Sequence, residues 1–423
     1  MRRTLGIGTV FTMLVASSVA TFQSSAAQSS AANAPEPLAL VGANVVNVHN
    51  GRITPNATVV LRGGRIESIA TGAAPGAVRT LDLKGKYVVP GLIDAHTHLA
   101  DFGTARRALE SGVTTVRSSG VSNYADVGLR ALAKEGAIVG PDVLAAGYHV
   151  RPRLAEEAFL SDPVTAMPLM RGVETPDQIR QAVRMNLSHD VDWIKVLATE
   201  RAGTPDTDPR KQVYTETELR AAVEEAATKN VPVQAHAHGD EGAMAAVKAG
   251  VRSIEHGTYL SDATLALMKE RGTYFDPTYT TVIDVAEPGG DYDLAPLRLR
   301  GQHMLPQIAD AVRRAHTKGV KIVAGSDTGY GPNSLTRISL EVANFVKLGL
   351  SPLEALQAAT ITNAEMLRIE KSTGALDVGF EADLIAVDGN PLERPDALQD
   401  VLLVISNGRI GLNRLDFAKT GAR

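Results

Sequence analysis

The sequence predicts an α/β fold: a (β/α)8 TIM barrel with a small flanking β domain built from both chain ends. Three observations carry that expectation. Between residues 91 and 370, short apolar segments alternate with longer stretches of helical periodicity, the pattern of parallel strands joined by crossover helices. Eight such apolar segments can be counted, the number a closed barrel needs. Residues 38–90 and 371–423 share a different texture of β-branched runs and tight turns, and neither stretch holds enough strands to be stable alone. No glycine-rich nucleotide fingerprint follows any strand, which argues against an open doubly wound sheet.

Composition bounds the chemistry. At 423 residues, with 44% hydrophobic and 21% charged side chains, the chain has material for two or three globular domains. Lys+Arg 43 against Asp+Glu 47 leaves a net charge of −4, which excludes nucleic acid as the main partner. Cysteine is absent, so disulfides, thiolate nucleophiles and Cys-ligated metals are excluded. Any metal must be held by His, Asp, Glu or a modified Lys.

Residues 1–27 read as a signal peptide. Arg2 and Arg3 give a basic start, Leu5 to Ala20 is mostly apolar, and small residues offer cleavage after Ala20 or Ala27. The alternative, an uncleaved anchor, needs a longer and less interrupted span. Residues 28–37 are Ala/Ser/Pro-rich and read as a flexible lead-in. The expectation is an exported protein, periplasmic or secreted, with no membrane segment once the signal is removed.

The β elements follow in order. Apolar runs at 38–48, 58–61, 66–69, 80–83 and 87–89 surround the turn Arg62-Gly63-Gly64-Arg65. At the far end, 383–387 and 401–405 are strands, and Asn407-Gly408 is a hairpin turn. These two groups, 38–90 and 371–423, should join into one composite domain. The eight barrel strands are expected at 92–98, 113–118, 143–150, 192–198, 231–238, 253–257, 274–279 and 321–327. Helical patterns separate them, for example at 216–229 and 305–318, and a terminal helix covers 352–367.

Six of the ten histidines (His96, His98, His149, His236, His238 and His256) fall at or near the carboxyl ends of predicted strands, where barrel enzymes keep their active sites. Strand side chains alternate faces, so His96 and His98 point one way together, as do His236 and His238. Two imidazoles on one strand end make a two-point grip for zinc or its neighbours. Lys195, flanked by Ile194 and Val196, should face inward. A charged lysine there must be paired or modified. It pairs with Asp327 or Glu255, or it carries a carbamate formed from CO₂ and serves as an anionic bridge between metals.

Taken together, these segments resemble a family. Val-Pro-Gly-Leu-Ile-Asp-Ala-His96-Thr-His98, then Lys195, His236, His256 in Ser-Ile-Glu-His-Gly, and Asp327 in Gly-Ser-Asp-Thr resemble the amidohydrolase superfamily over nearly all of residues 38–412. Ala382-Asp383-Leu384-Ile385 and Gly389-Asn390-Pro391-Leu392 resemble its closing β segment. Within the superfamily the spacing is similar to the ochratoxinase-type carboxypeptidases of the binuclear Xaa-Pro dipeptidase and imidazolonepropionase-related branch. One departure is Arg117-Ser118-Ser119, where close relatives carry an acid after the arginine.

The resemblance implies two divalent metal ions, zinc foremost. His96, His98 and Asp327 would hold the first, His236 and His256 the second, with carbamylated Lys195 bridging. It implies attack by a metal-bridging hydroxide, with Asp327 moving the proton and His238 donating to the carbonyl oxygen, unless His238 only supports its neighbours. His149, Arg151 and Arg153 could hold a substrate carboxylate or form a solvated basic loop, and Tyr259, Tyr148 and Tyr279 could line the pocket or pack. His49, His189, His303 and His316 carry no pattern. The implied activity is hydrolysis of the amide bond to a C-terminal amino acid in an N-acyl-amino acid, a dipeptide or an ochratoxin A-like aryl amide. A lactonase or cyclic-amide hydrolase could use the same centre, and a non-enzymatic metal-binding protein is the remaining alternative. The substrate would carry a free carboxylate, and the chain is expected to form a homo-oligomer.

Overall fold

The computed structural model describes residues 35–416 apart from Ala77. The segment 1–27, expected to be a signal peptide, and most of the expected lead-in lie outside the described residues. Among the described residues, no helix is long and apolar enough to cross a membrane.

Strands β1 (Leu38–Val46), β2 (Ile53–Arg62) and β3 (Arg65–Thr71) form an antiparallel meander, with β4 (Arg79–Asp82) and β5 (Tyr87–Pro90) both parallel to β1. Gly63 and Gly64 both take positive φ between Arg62 and Arg65, as a two-residue hairpin turn requires.

Two parallel ladders follow. β6 (Leu92–Thr97), β7 (Val113–Ser118) and β8 (Asp142–Leu144) form the first. β9 (Ile194–Leu197), β10 (Val233–Ala237), β11 (Ser253–His256) and β12 (Tyr274–Asp276) form the second. Seven of the eight expected strands are therefore present, the third cut short at Leu144. The eighth, 321–327, forms no regular strand. It contributes isolated parallel bridges instead, Phe275 to Ile322 and Thr97 to Thr328, while Val150 bridges to Val196 between the two ladders. The segment therefore meets its neighbours at single points rather than along a continuous ladder, and it ends at Asp327, whose φ of 49° lies outside the extended region. Hydrogen bonds still tie this segment to its neighbours: Ala95 N donates to Ala324 O, and Asp327 N to His96 O.

Helices fill the intervals between parallel strands. Residues Glu216–Ala227 show why: Thr215 and Glu218 cap each other's backbone N–H groups, and Leu219, Ala222 and Ala226 form the buried stripe. The helix Ala295–Lys318 is the longest described, at 24 residues.

The chain then returns to the first sheet as β13 (Leu384–Val387), β14 (Val401–Ser406) and β15 (Arg409–Asn413). The strand order is β15-β14-β13-β5-β1-β2-β3, with β4 beside β1, so strands from both ends of the chain share one sheet. Period-two alternation gives this sheet two apolar faces. Leu384 and Ala386 join a core with Leu40, Val59 and Leu403, whereas Ile385 and Val387 join the larger core shared with Val116, Ile194 and Phe275. The Leu, Ile, Val and Phe side chains among them, all fully buried or nearly so, each contribute about 1.5–3 kcal/mol relative to exposure.

Candidate active site and metal centre

The carboxyl ends of the parallel strands bring six predicted residues to one cavity. His96 comes from β6 and His98 follows it, Lys195 lies on β9, His236 on β10 with His238 just beyond, and His256 ends β11. Asp327 joins them, and His149 lines the wall. The cavity holds about 600 Å³ of empty volume counted out to its open mouth.

The sequence puts apolar neighbours of these residues on the opposite strand face. Ile93 and Ala95 on β6, like Ile194 and Val196 on β9, are completely buried toward the surrounding layer, so the alternate positions face inward. Gly325 is needed where the last segment passes β6: a Cβ there would lie 2.3 Å from Asp276 Oδ2 and 2.6 Å from His96 Cβ.

The donor geometry fits divalent metal. His96, His98 and Asp327 offer ligand atoms within 4.8 Å of one another, and so do His236, His238 and His256. Asp327 Oδ1 lies 3.3 Å from His96 Nε2 and 3.0 Å from His98 Nε2. The outer ring nitrogens are already engaged. His96 Nδ1 donates to Glu255 Oε2 at 2.8 Å and His98 Nδ1 to Gly120 O at 2.7 Å. His256 Nδ1 pairs with Thr278 Oγ1 at 2.7 Å, and His238 Nδ1 with Thr258 Oγ1 at 2.9 Å. His236 is turned the other way, its Nε2 donating to Glu200 O at 3.1 Å. Each ring thus has one nitrogen held from behind and turns the other toward the cluster, where those of His96 and His98 meet Lys195 and Asp327, the arrangement metal-binding histidines show.

Electrostatics favour the ligating protonation states. Burial, reinforced by Lys195, lowers His96 to about 4. Burial takes His238 to about 3 and holds His236 and His256 well below the ordinary imidazole value. Burial opposes ionisation of Asp327, but His96 and His98 outweigh it and hold the carboxyl below its ordinary range. The Lys195 amine, 2% exposed, is lowered by burial to about 8. Neutral imidazoles and an ionised carboxylate are what a divalent ion needs.

Lys195 joins no ion pair with Asp327 or Glu255. Its amine instead meets His96 Nε2, 3.3 Å from Nζ. His256 and Asp327 both have positive φ, at 72° and 49°, so the backbone is strained at two inward-facing residues.

The other expected contacts divide. His149 lines the cavity, its Nε2 donating to Ser119 O at 2.5 Å. Arg151 lines an adjoining pocket with His149 and Arg201, whereas Arg153 and Tyr259 line neither. Tyr259 sits instead behind His238, its N–H donating to His238 O. Tyr148 lines the adjoining pocket, and Tyr279 begins the helix Tyr279–Ala286.

Sequence reasoning missed a buried layer beneath the cavity. Arg117 donates to Glu255 Oε2 at 2.6 Å and to Asp276 Oδ2 at 3.3 Å, and its guanidinium lies 4.8 Å from the Trp193 ring centre. Burial opposes ionisation of Glu255, but Arg117 outweighs it and keeps it a carboxylate; burial and Glu255 push Asp276 well up. Ser118, the residue after Arg117 where the resemblance leads one to expect an acid, has its Oγ accepting from Gly120 N at 3.2 Å and its backbone O accepting from Gln234 Nε2 at 2.9 Å. Arg201 and Tyr292 were missed too; both line the cavity. Arg201 carried one usable signal, its place four residues past the end of β9, on the loops where barrel sites gather.

The chain is similar to proteins with related names. It is 30% identical to an ochratoxinase from Aspergillus niger over 351 residues, which cover 74% of this chain and 72% of the relative. The structure of an Xaa-Pro dipeptidase with methionine bound in its active site superposes with a TM-score of 0.79, at 29% identity, over 89% of this chain and 99% of the other. A prolidase solved with N-methylphosphonate-L-proline gives 0.77, at 28% identity, over 88% and 99%. The Amidohydrolase family model matches residues 87–411, and this chain belongs to that family.

Proposed function

We propose that the protein hydrolyses the amide bond to a C-terminal amino acid, in an N-acyl-amino acid, a dipeptide or an ochratoxin-like aryl amide. One observation carries the reading: two clusters of ligand atoms converge on a single cavity around a buried lysine that forms no ion pair among the described residues. The names of the relatives, an ochratoxinase and an Xaa-Pro dipeptidase, support that bond type. The three isolated bridges at Val150, Phe275 and Thr97 support a closed (β/α)8 barrel, and the eight-stranded sheet supports a composite domain beside it.

His96, His98 and Asp327 would hold one divalent ion and His236 and His256 the other, with Lys195 as a carbamate between them. When bound, such ions supply Lewis acidity and a nucleophilic water at neutral pH. Asp327, held as a carboxylate by its histidine neighbours, accepts the water proton and passes it to the leaving amine. His238, neutral and fixed through Nδ1 by Thr258, would donate from its other ring nitrogen to the substrate carbonyl oxygen. Leu197, Val282, Val285 and Met304 form an apolar wall that displaces water around an apolar terminal residue.

The experiment is a release assay across N-acyl-amino acids and dipeptides that varies the terminal residue. Free amino acid should accumulate with apolar terminal residues, and the loss of release after chelation should reverse on adding zinc. Absence of release across the panel rejects the reading. We also propose that the protein is exported: mass spectrometry of the native protein should find a new amino terminus between Thr21 and Ser30, and intact Met1 in the cytosolic fraction would reject that.

A further inference from the structure

Arg201 and Lys195 are the two cationic side chains on the cavity wall besides the histidines, and Asp327 is the one carboxylate there. Arg201 is half-buried, and no carboxylate pairs with it among the described residues. It lies near enough to His149, His236 and His238 for its charge to disfavour their protonation. An arginine left without a counterion in an enclosed site is a ready receptor for a ligand carboxylate, which its planar fork can grip with two parallel bonds.

The loop that carries Arg201 is held with unusual firmness for a segment without secondary structure. Glu200 O accepts from His236 Nε2, and Arg201 O accepts from Thr207 Oγ1 at 2.5 Å, so the backbone on both sides of the Arg201 Cα is fixed. Glu200 Oε2 accepts from Asp208 N at 2.9 Å and closes the loop's base. Arg300, on the helix Ala295–Lys318, reaches into the loop. Its Nη1 donates to Ala202 O at 2.6 Å and Thr204 O at 2.7 Å; its Nη2 donates to Pro205 O at 2.9 Å and to Thr207 O. Four backbone carbonyls thus converge on one guanidinium. Gly203 lets the Tyr292 ring close over the loop, because a Cβ there would lie 2.6 Å from Tyr292 Cε1. Tyr292 itself lines the cavity beside Arg201, with its phenol next to Asp327.

We propose that Arg201 is the anchor for the substrate's terminal carboxylate, and that Arg300 is the positioning residue that holds the anchor's loop in register with the metal ligands. The inference rests on the amide-hydrolase reading and deepens it by naming the specificity residue. Arg201 shares the cavity wall with His149, Tyr292 and the histidine cluster, so a carboxylate gripped there would bring the preceding amide carbonyl toward the histidines. Positioning of this kind lowers a barrier without any new chemistry.

The test uses the full, metal-loaded protein in two arms. In the kinetic arm, N-acetyl-L-phenylalanine is compared with N-acetyl-L-phenylalaninamide. Arg201→Gln should lose kcat/KM on the acid on the order of 10²-fold, mostly through KM, with the amide changed by less than about threefold. Arg201→Lys should regain part of the loss, and Arg300→Lys should show the same KM pattern more weakly at unchanged metal content and circular dichroism. In the binding arm, calorimetry follows 3-phenylpropanoate, which has no bond to cleave, against neutral 3-phenylpropan-1-ol. Arg201→Gln should weaken the carboxylate by a similar factor and leave the alcohol alone. Equal losses on acid and amide, or undiminished 3-phenylpropanoate binding in Arg201→Gln, would overturn the anchor and place the carboxylate on the metals instead. If the unsubstituted enzyme releases nothing from either substrate or from the panel of N-acyl-amino acids and dipeptides, the hydrolase reading fails while the binding arm still decides Arg201.

Discussion

Arg117 and Glu255 form an ion pair with both side chains completely buried, Nη2 to Oε2 2.6 Å, although 138 positions separate them in sequence. Glu255 Oε2 also accepts from His96 Nδ1, so the pair ends on a ring whose other nitrogen faces the cavity. Arg117→Met would fill similar volume and leave Glu255 buried without its counterion. The expected loss is about 3–5 kcal/mol of stability. Chemical denaturation at neutral pH measures it, and an unchanged midpoint would contradict the role assigned to the pair.

Glu255→Gln tests the other half of that chain. The amide keeps the size but removes the charge that fixes the His96 tautomer. Metal affinity should fall by roughly 10–100-fold, as read by competition with a chromogenic chelator. Affinity equal to the unsubstituted protein would show that His96 needs no help from behind.

Lys195→Ala removes the buried amine and any carbamate on it. Activity should be lost together with most of one metal equivalent, and short carboxylates such as formate or acetate should partly restore both. Metal counting by atomic emission gives the first readout. A fully active alanine variant would reject the bridge.

Glu341 makes stability depend on pH away from the cavity. It is buried, and it accepts from Tyr279 N and Thr280 N, both at 2.7 Å, at the start of the helix whose N-cap, Thr278, pairs with His256. Burial raises its pKa from 4.5 to about 7. Below pH 4.5 the proton is present in the folded and unfolded chains alike, and the native state suffers no desolvated charge. As pH rises toward 7, the unfolded chain ionises first, so this contribution to stability drains away, on the order of 3 kcal/mol in all. Glu341→Gln should flatten that part of the stability profile between pH 4.5 and 7. An unaltered slope would mean another group controls it.

Much of this was legible because strand alternation is a local signal. His96 with His98, and His236 with His238, could be placed inward from their apolar neighbours alone. Lys195 could be too, flanked by Ile194 and Val196. The segment 321–327 looked like its seven companions by composition, yet it pairs only through single bridges, and the continuity of a ladder leaves no mark in hydrophobicity. Arg117 was visible only as part of a motif; its partners Glu255 and Asp276 lie on strands brought beside it by topology. Arg201 sits in a polar loop with no periodicity to read, and the residue that holds it, Arg300, is 99 positions away on a helix. Arg153 looked equivalent to Arg151 in sequence, but only the fold distinguishes a side chain at the pocket from one beside it.

The sheet that joins the two ends of the chain also sets the order of events when the protein is made. β5 lies between β1 and β13, and β13 is followed by β14 and β15. Until the last forty or so residues have been synthesised, Val88 and Val89 present an apolar strand with one edge unpaired. Pairing across nearly 300 intervening residues closes slowly and exposes sticky intermediates meanwhile. An early stop codon near residue 380 would therefore spare every inward-facing histidine and still yield insoluble material, a chain with its chemistry intact and no lid for its first sheet.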